Sequence, residues 1–97
     1  MKIKNKILTI EVENESIILR LRSVDSESII SQQEWQNDNS SSEQLLDRID
    51  MFLEDNEIKI VELYKVETKI DENQKYTLAR IIKTVANTIN YCLEVIN

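Results

Sequence analysis

Residues 40–55, SSSEQLLDRIDMFLED, carry a start signal, a periodicity and a stop that all agree. Ser40, Ser41 and Ser42 supply side-chain oxygens that can accept hydrogen bonds from first-turn amides, and Glu43 stands three residues after Ser40, the capping-box spacing. Leu45, Leu46, Ile49, Phe52 and Leu53 recur at helical steps along one stripe, whereas Asp47, Arg48, Asp50 and Glu54 fall outside it. A helix with one apolar stripe needs a sheet or another helix beneath it, and the segments on either side read as strands.

Upstream, residues 6–13 alternate, with Leu8, Ile10 and Val12 on one face and Thr9 and Glu11 on the other, the pattern of a half-buried strand. Asn14 and Glu15 offer a tight turn. Residues 16–23 alternate again, Ile17, Leu19 and Leu21 inward and Arg20 and Arg22 outward. After a turn at residues 25–27, residues 28–35 make a third strand, polar on both sides, which suits an edge. Trp35 is expected to close the end of that strand against the core or the incoming helix. Residues 37–42 are a polar loop.

Downstream, Asn56 and Glu57 break the helix, and residues 58–66, IKIVELYKV, form the most continuously β-branched run of the chain. It reads as a central strand buried on much of both faces. A helix lies between it and the third strand, so it should pair parallel to an earlier strand through a right-handed crossover. Residues 67–75 read as a charged loop in which Asp71 or Asn73 caps a second helix. That helix runs to about Leu93 with Leu78, Ile81, Ile82, Val85, Ile89, Cys92 and Leu93 as its stripe. Ala79, Ala86 and Asn90 form a second face of small residues that would let another helix approach. Residues 94–97 can add only a stub of a last strand. The order βββαβα(β) defines an α/β fold, one half of an actin-like or ribonuclease-H-like architecture, with a mixed sheet and both helices on one face. Residues 1–97 make a single domain. Leu19, Ile30 or Tyr64 would be left partly exposed where the other face lacks a cover.

Composition removes whole classes of chemistry. The chain has no glycine, proline or histidine and one cysteine. Without glycine there is no low-strain way to bring backbone amides against a phosphate, so P-loop and dinucleotide fingerprints are excluded. Without histidine there is no common zinc set, no Ser-His-Asp triad and no Cys-His pair. The carboxylates are scattered, and no spacing singles out a catalytic pair. No catalytic, cofactor or metal residues are therefore expected. Twelve basic against eighteen acidic residues give a formal charge of −6, which disfavours direct binding to nucleic acid or anionic membrane. No apolar run has the length of a membrane span, and the opening residues turn acidic too soon for a signal peptide; a cytoplasmic chain is expected. Cys92, on the apolar stripe, is expected in the core.

Motifs in this order resemble the TsaB/YeaZ family, the non-catalytic partner in the bacterial machinery that makes threonylcarbamoyladenosine in tRNA. Residues 7–12, ILTIEV, stand where the family has a first strand of the type ILAIDTS. Ser42, Glu43, Leu45, Leu46, Ile49 and Leu53 match HSE-x-LL-x-x-I-x-x-L. Tyr76, Thr77 and Arg80 match FTGLR, and Ala86, Ile89, Tyr91 and Leu93 continue down the helix. The family's Asp-Thr-Ser is Glu11, Val12 and Glu13 here, its glycine-rich GPGS is DENQK, and its second lobe has no counterpart in these residues.

The resemblance implies an N-terminal lobe with the strand order 3-2-1-4-5, whose helix pair serves to bind a TsaD-like catalytic subunit or to form a homodimer. The corresponding surface here comprises Ser42, Glu43, Tyr76, Thr77, Ala79, Arg80, Lys83, Ala86 and Asn90. Two other readings of the residues stand beside it: an unrelated small α/β interaction or regulatory module that self-associates through its helices, and a small enzyme, which the missing histidine and glycine disfavour.

Overall fold

The computed structural model describes residues 5–13, 16–36, 41–70 and 76–96, without the side chains of residues 41–43, 76, 77 and 96. Four strands and two helices follow in the order β1 (Lys6–Glu13), β2 (Ser16–Ser23), β3 (Ile29–Gln36), α1 (Ser41–Asp55), β4 (Leu63–Ile70) and α2 (Tyr76–Ile96), with a short 3-10 turn at Ile60–Glu62. The sheet order is β3-β2-β1-β4. The hairpin pairs Glu13 with Ser16 and Lys6 with Ser23, so Leu8 faces Leu21 and Ile10 faces Leu19. β4 runs parallel to β1, Val66 against Leu8 and Ile70 against Val12, as the helical crossover requires.

One face of the sheet carries the core. Leu8, Ile10, Val12, Ile17, Leu19, Leu21 and Val66 pack with Leu45, Ile49, Phe52 and Leu53 of α1 and with Leu78, Ile82, Ala86, Ile89 and Leu93 of α2. Trp35 closes the end of β3 against this cluster, with the Arg48 guanidinium of α1 4.6 Å above its ring. Among the described residues no helix lies on the opposite face. There Ile7, Thr9 and Ile18 are buried beside two ion pairs that join strands, Arg20 to Glu11 at 2.7 Å and Arg22 to Glu67 at 3.4 Å, and one within β4, Lys65 to Glu67 at 2.9 Å.

Four sequence expectations need correction. β4 does not begin at Ile58, nor is it the central strand expected: it lies at the end of the described sheet, with only Leu63 and Val66 of its residues buried. The Ile58 amide donates to the Leu53 carbonyl and the Glu57 amide to that of Glu54, both at 2.9 Å, with Glu57 in left-handed backbone at φ 59°. This αL closure of α1, followed by the 3-10 turn, uses up residues 56–62 before the chain reaches the sheet. The strand then continues to Ile70, through residues read as loop; Glu67 and Lys69 lie opposite Thr9 and Glu11, on the face that can hold charge.

The stub strand is also absent, because α2 continues to Ile96. Leu19 is fully buried, since its register places it on the helix-covered face. Ile30 and Tyr64 are indeed about half exposed, and each is the residue skipped by the pairing at a bulge. Cys92, expected in the core, is exposed, for a reason that lies in the roll of α2. The capping residues Ser40, Asp71 and Asn73 lie outside the described residues.

Candidate interaction surface

α2 is the longest element, and its three sides differ in chemistry. One side, Leu78, Ile82, Ala86, Ile89 and Leu93, is buried on the sheet. A second carries the polar residues Arg80, Lys83, Asn87 and Glu94, all exposed. The third, Ile81, Thr84, Val85, Thr88, Tyr91, Cys92 and Val95, follows helical steps of three and one and contains no charge. Ile81 and Val85 rest half-buried against the core, while Thr84, Thr88, Tyr91, Cys92 and Val95 are exposed. The Thr88 hydroxyl donates to the Thr84 carbonyl at 2.8 Å, which occupies its donor within the helix. Arg80, Ile81, Thr84 and Val85 line a shallow groove of about 320 Å3.

The roll of the helix explains this arrangement. The side-chain amide of Asn90 bonds both backbone groups of Val66 on β4, accepting from its N–H at 2.8 Å and donating to its C=O at 2.9 Å. Ala79 and Ala86, half-buried and buried, turn toward the sheet with it. Small side chains let the helix axis approach β4, and that rotation carries Cys92 out to solvent and Ile81 and Val85 to the rim.

Among the residues the sequence placed on an interaction surface, Arg80 and Lys83 are exposed, Ala79 is half-buried and Ala86 is 4% exposed. Ala86 and Asn90 thus belong to the internal packing, not to an outer face. The side chains of Ser42, Glu43, Tyr76 and Thr77 lie outside the described residues. The uncharged flank has a signal in the sequence, since Ile81, Thr84, Val85, Thr88, Tyr91, Cys92 and Val95 follow helical steps with no charge among them, but Ile81, Val85 and Cys92 also fit the core stripe.

A second groove, about 590 Å3, lies at the end of α1. Ile58, Ile60 and Val61 line it with Asp50, Glu54, Glu57, Glu62 and Lys59, a carboxylate-rich wall that repels phosphate. No group of three or more metal-ligating side chains occurs among the described residues. Glu67, on the bare sheet face, is held below the ordinary glutamate value of 4.5, first by its hydrogen bond from Lys65, against some opposition from burial, and also by the Lys65 and Arg22 charges. It stays ionised as an ion-pair partner.

Solved structures provide the comparison. YeaZ from Pseudomonas aeruginosa superposes with a TM-score of 0.76 at 12% identity, over 93% of this chain. This chain has the fold of part of YeaZ. A second structure, described as an uncharacterised protein with similarity to peptidase YeaZ from Pseudomonas aeruginosa, matches with a TM-score of 0.73 at 13% identity, again over 93% of this chain. The chain spans 40% of the length of each. No family model matches it, and no curated protein sequence does. No helix among the described residues is long and apolar enough to cross a membrane.

Proposed function

We propose that the chain is a non-catalytic YeaZ-like subunit that binds a TsaD-type catalytic subunit and so supports threonylcarbamoyladenosine modification of tRNA. The observation that carries the reading is the uncharged flank of α2, in a chain where 31% of residues are charged. A flank of this kind accepts a partner helix without stranding a charge, and its aromatic end at Tyr91 is of the type enriched at interface centres. The YeaZ-like fold supports the choice of partner.

The test is capture of a TsaD-type subunit from the native source by the tagged chain, compared with the Thr88→Arg variant. Thr88 is exposed, so the variant should keep its thermal stability and lose capture; unchanged capture would remove the flank from the reading. Depleting the chain should lower threonylcarbamoyladenosine in tRNA, and an unaltered level would overturn the role itself. Self-pairing of the same flank is the competing state: the net charge of −6 on each copy opposes it, and the uncharged flank is where two copies can meet without setting like charges in contact. Light scattering of the isolated chain reads it directly.

The isolated chain is expected to bind ATP poorly and to hydrolyse nothing. It has no glycine with which to build an amide-rich phosphate turn, and Asp71 and Glu72 add two carboxylates to the segment that stands where the family has its glycine-rich loop. A calorimetric titration with micromolar affinity would contradict this.

A further inference from the structure

β4 is an edge strand of the described sheet, paired with β1 on one side only. In a parallel pair the N–H and C=O of a given residue point to the same side, and the side alternates along the strand. Both groups of Val66 are taken by the Asn90 amide, so Val66 points away from β1, and Thr68 does so by alternation. The Asn90 side chain presents one acceptor and one donor to one residue of the edge, the same pair of groups that a residue of an adjoining antiparallel strand would present. Exposed edges of this kind invite pairing with another chain.

We propose that Asn90 stands in for a neighbouring strand and holds the β4 edge closed against antiparallel pairing with β4 of a second copy. The strand sequence, LYKVETKI, favours that occupant. With a two-fold axis at Val66, Val66 meets its own copy at the hydrogen-bonded position now held by Asn90, and Tyr64 meets Thr68. Lys65 of each strand then stands opposite Glu67 of the other, an opposite-charge cross-strand pair made twice. The atoms that would form the central bonds of such a pair are the Val66 N–H and C=O. The clip and the second strand therefore exclude each other. This edge is separate from the α2 flank.

The experiment replaces Asn90→Leu and reads two quantities. Hydrogen exchange of the Val66 amide in dilute solution should speed up roughly tenfold, the equivalent of one lost hydrogen bond. Mass by light scattering should rise with concentration above that of the parent chain. Adding Thr68→Pro removes an outward N–H while sparing the bonds to β1, a position where an edge strand tolerates proline, and should return the mass to the parent value. The proposal is overturned if Asn90→Leu leaves both readouts unchanged, or if its association survives Thr68→Pro. Should the leucine variant fail to fold, Asn90→Asp keeps size and the acceptor for the Val66 N–H but sets an oxygen against the Val66 carbonyl. The same two readouts then apply, and an unchanged pair overturns the proposal.

Discussion

At the residue scale, Glu57 sits at the position after α1 where glycine is the usual occupant, at φ 59°. A side chain in that region costs about 1 kcal/mol against glycine. Glu57→Gly is therefore expected to stabilise the chain by up to about 1 kcal/mol, lessened by the freedom glycine adds to the unfolded state. Urea denaturation followed by Trp35 fluorescence would show it as a higher midpoint at constant slope. A lower midpoint would mean that the hydrogen bonds from Glu57 and Ile58 do not tolerate the change. Glu67 offers a pH test. Its folded pKa is lowered by Lys65 and Arg22, so its contribution is full above about 4.5 and fades as pH falls through the folded value. The stability difference between the chain and Glu67→Gln should be flat near neutrality and close below about pH 4.5. A difference that grew on acidification would contradict the assigned direction.

At the element scale, α2 separates what periodicity can reveal from what it cannot. Leu78, Ile82, Ile89 and Leu93 fit the core stripe and are buried, because hydrophobic residues at helical steps must cover something apolar. Ala86 could be read from sequence only as a small residue on a lesser face, since alanine suits both helix surfaces and close packing. The direction in which it points depends on the distance from α2 to β4. Ala86→Leu is thus expected to cost about 1–3 kcal/mol by overpacking, measured as a lower melting temperature. A neutral substitution would place the alanine outside the contact. Cys92 gives the complementary check from the outer side. In the native state its thiol should react with a disulfide reagent at a rate close to that of the unfolded chain, whereas a buried thiol would be protected until unfolding.

At the scale of the whole molecule, one core cluster joins all four strands to both helices, so the chain should unfold in one step. Far-ultraviolet dichroism and Trp35 fluorescence should give superimposable urea transitions; an earlier loss of helix signal would mean that α2 detaches first. The order βββαβα, a parallel pairing for β4 and the placement of both helices on one face were determined by the sequence alone, while β1 as the partner of β4 was implied by the resemblance to a strand order 3-2-1-4-5. Alternation, helical stripes and crossover handedness are properties of near neighbours in the chain. Only the tertiary structure decided where β4 begins, which flank of α2 is left open and that Cys92 is exposed. These depend on the αL closure at Glu57 and on the bond between Asn90 and Val66. The physical reason is that a hydrogen bond between residues 24 apart fixes the roll of a helix, and neither residue's local pattern carries that information.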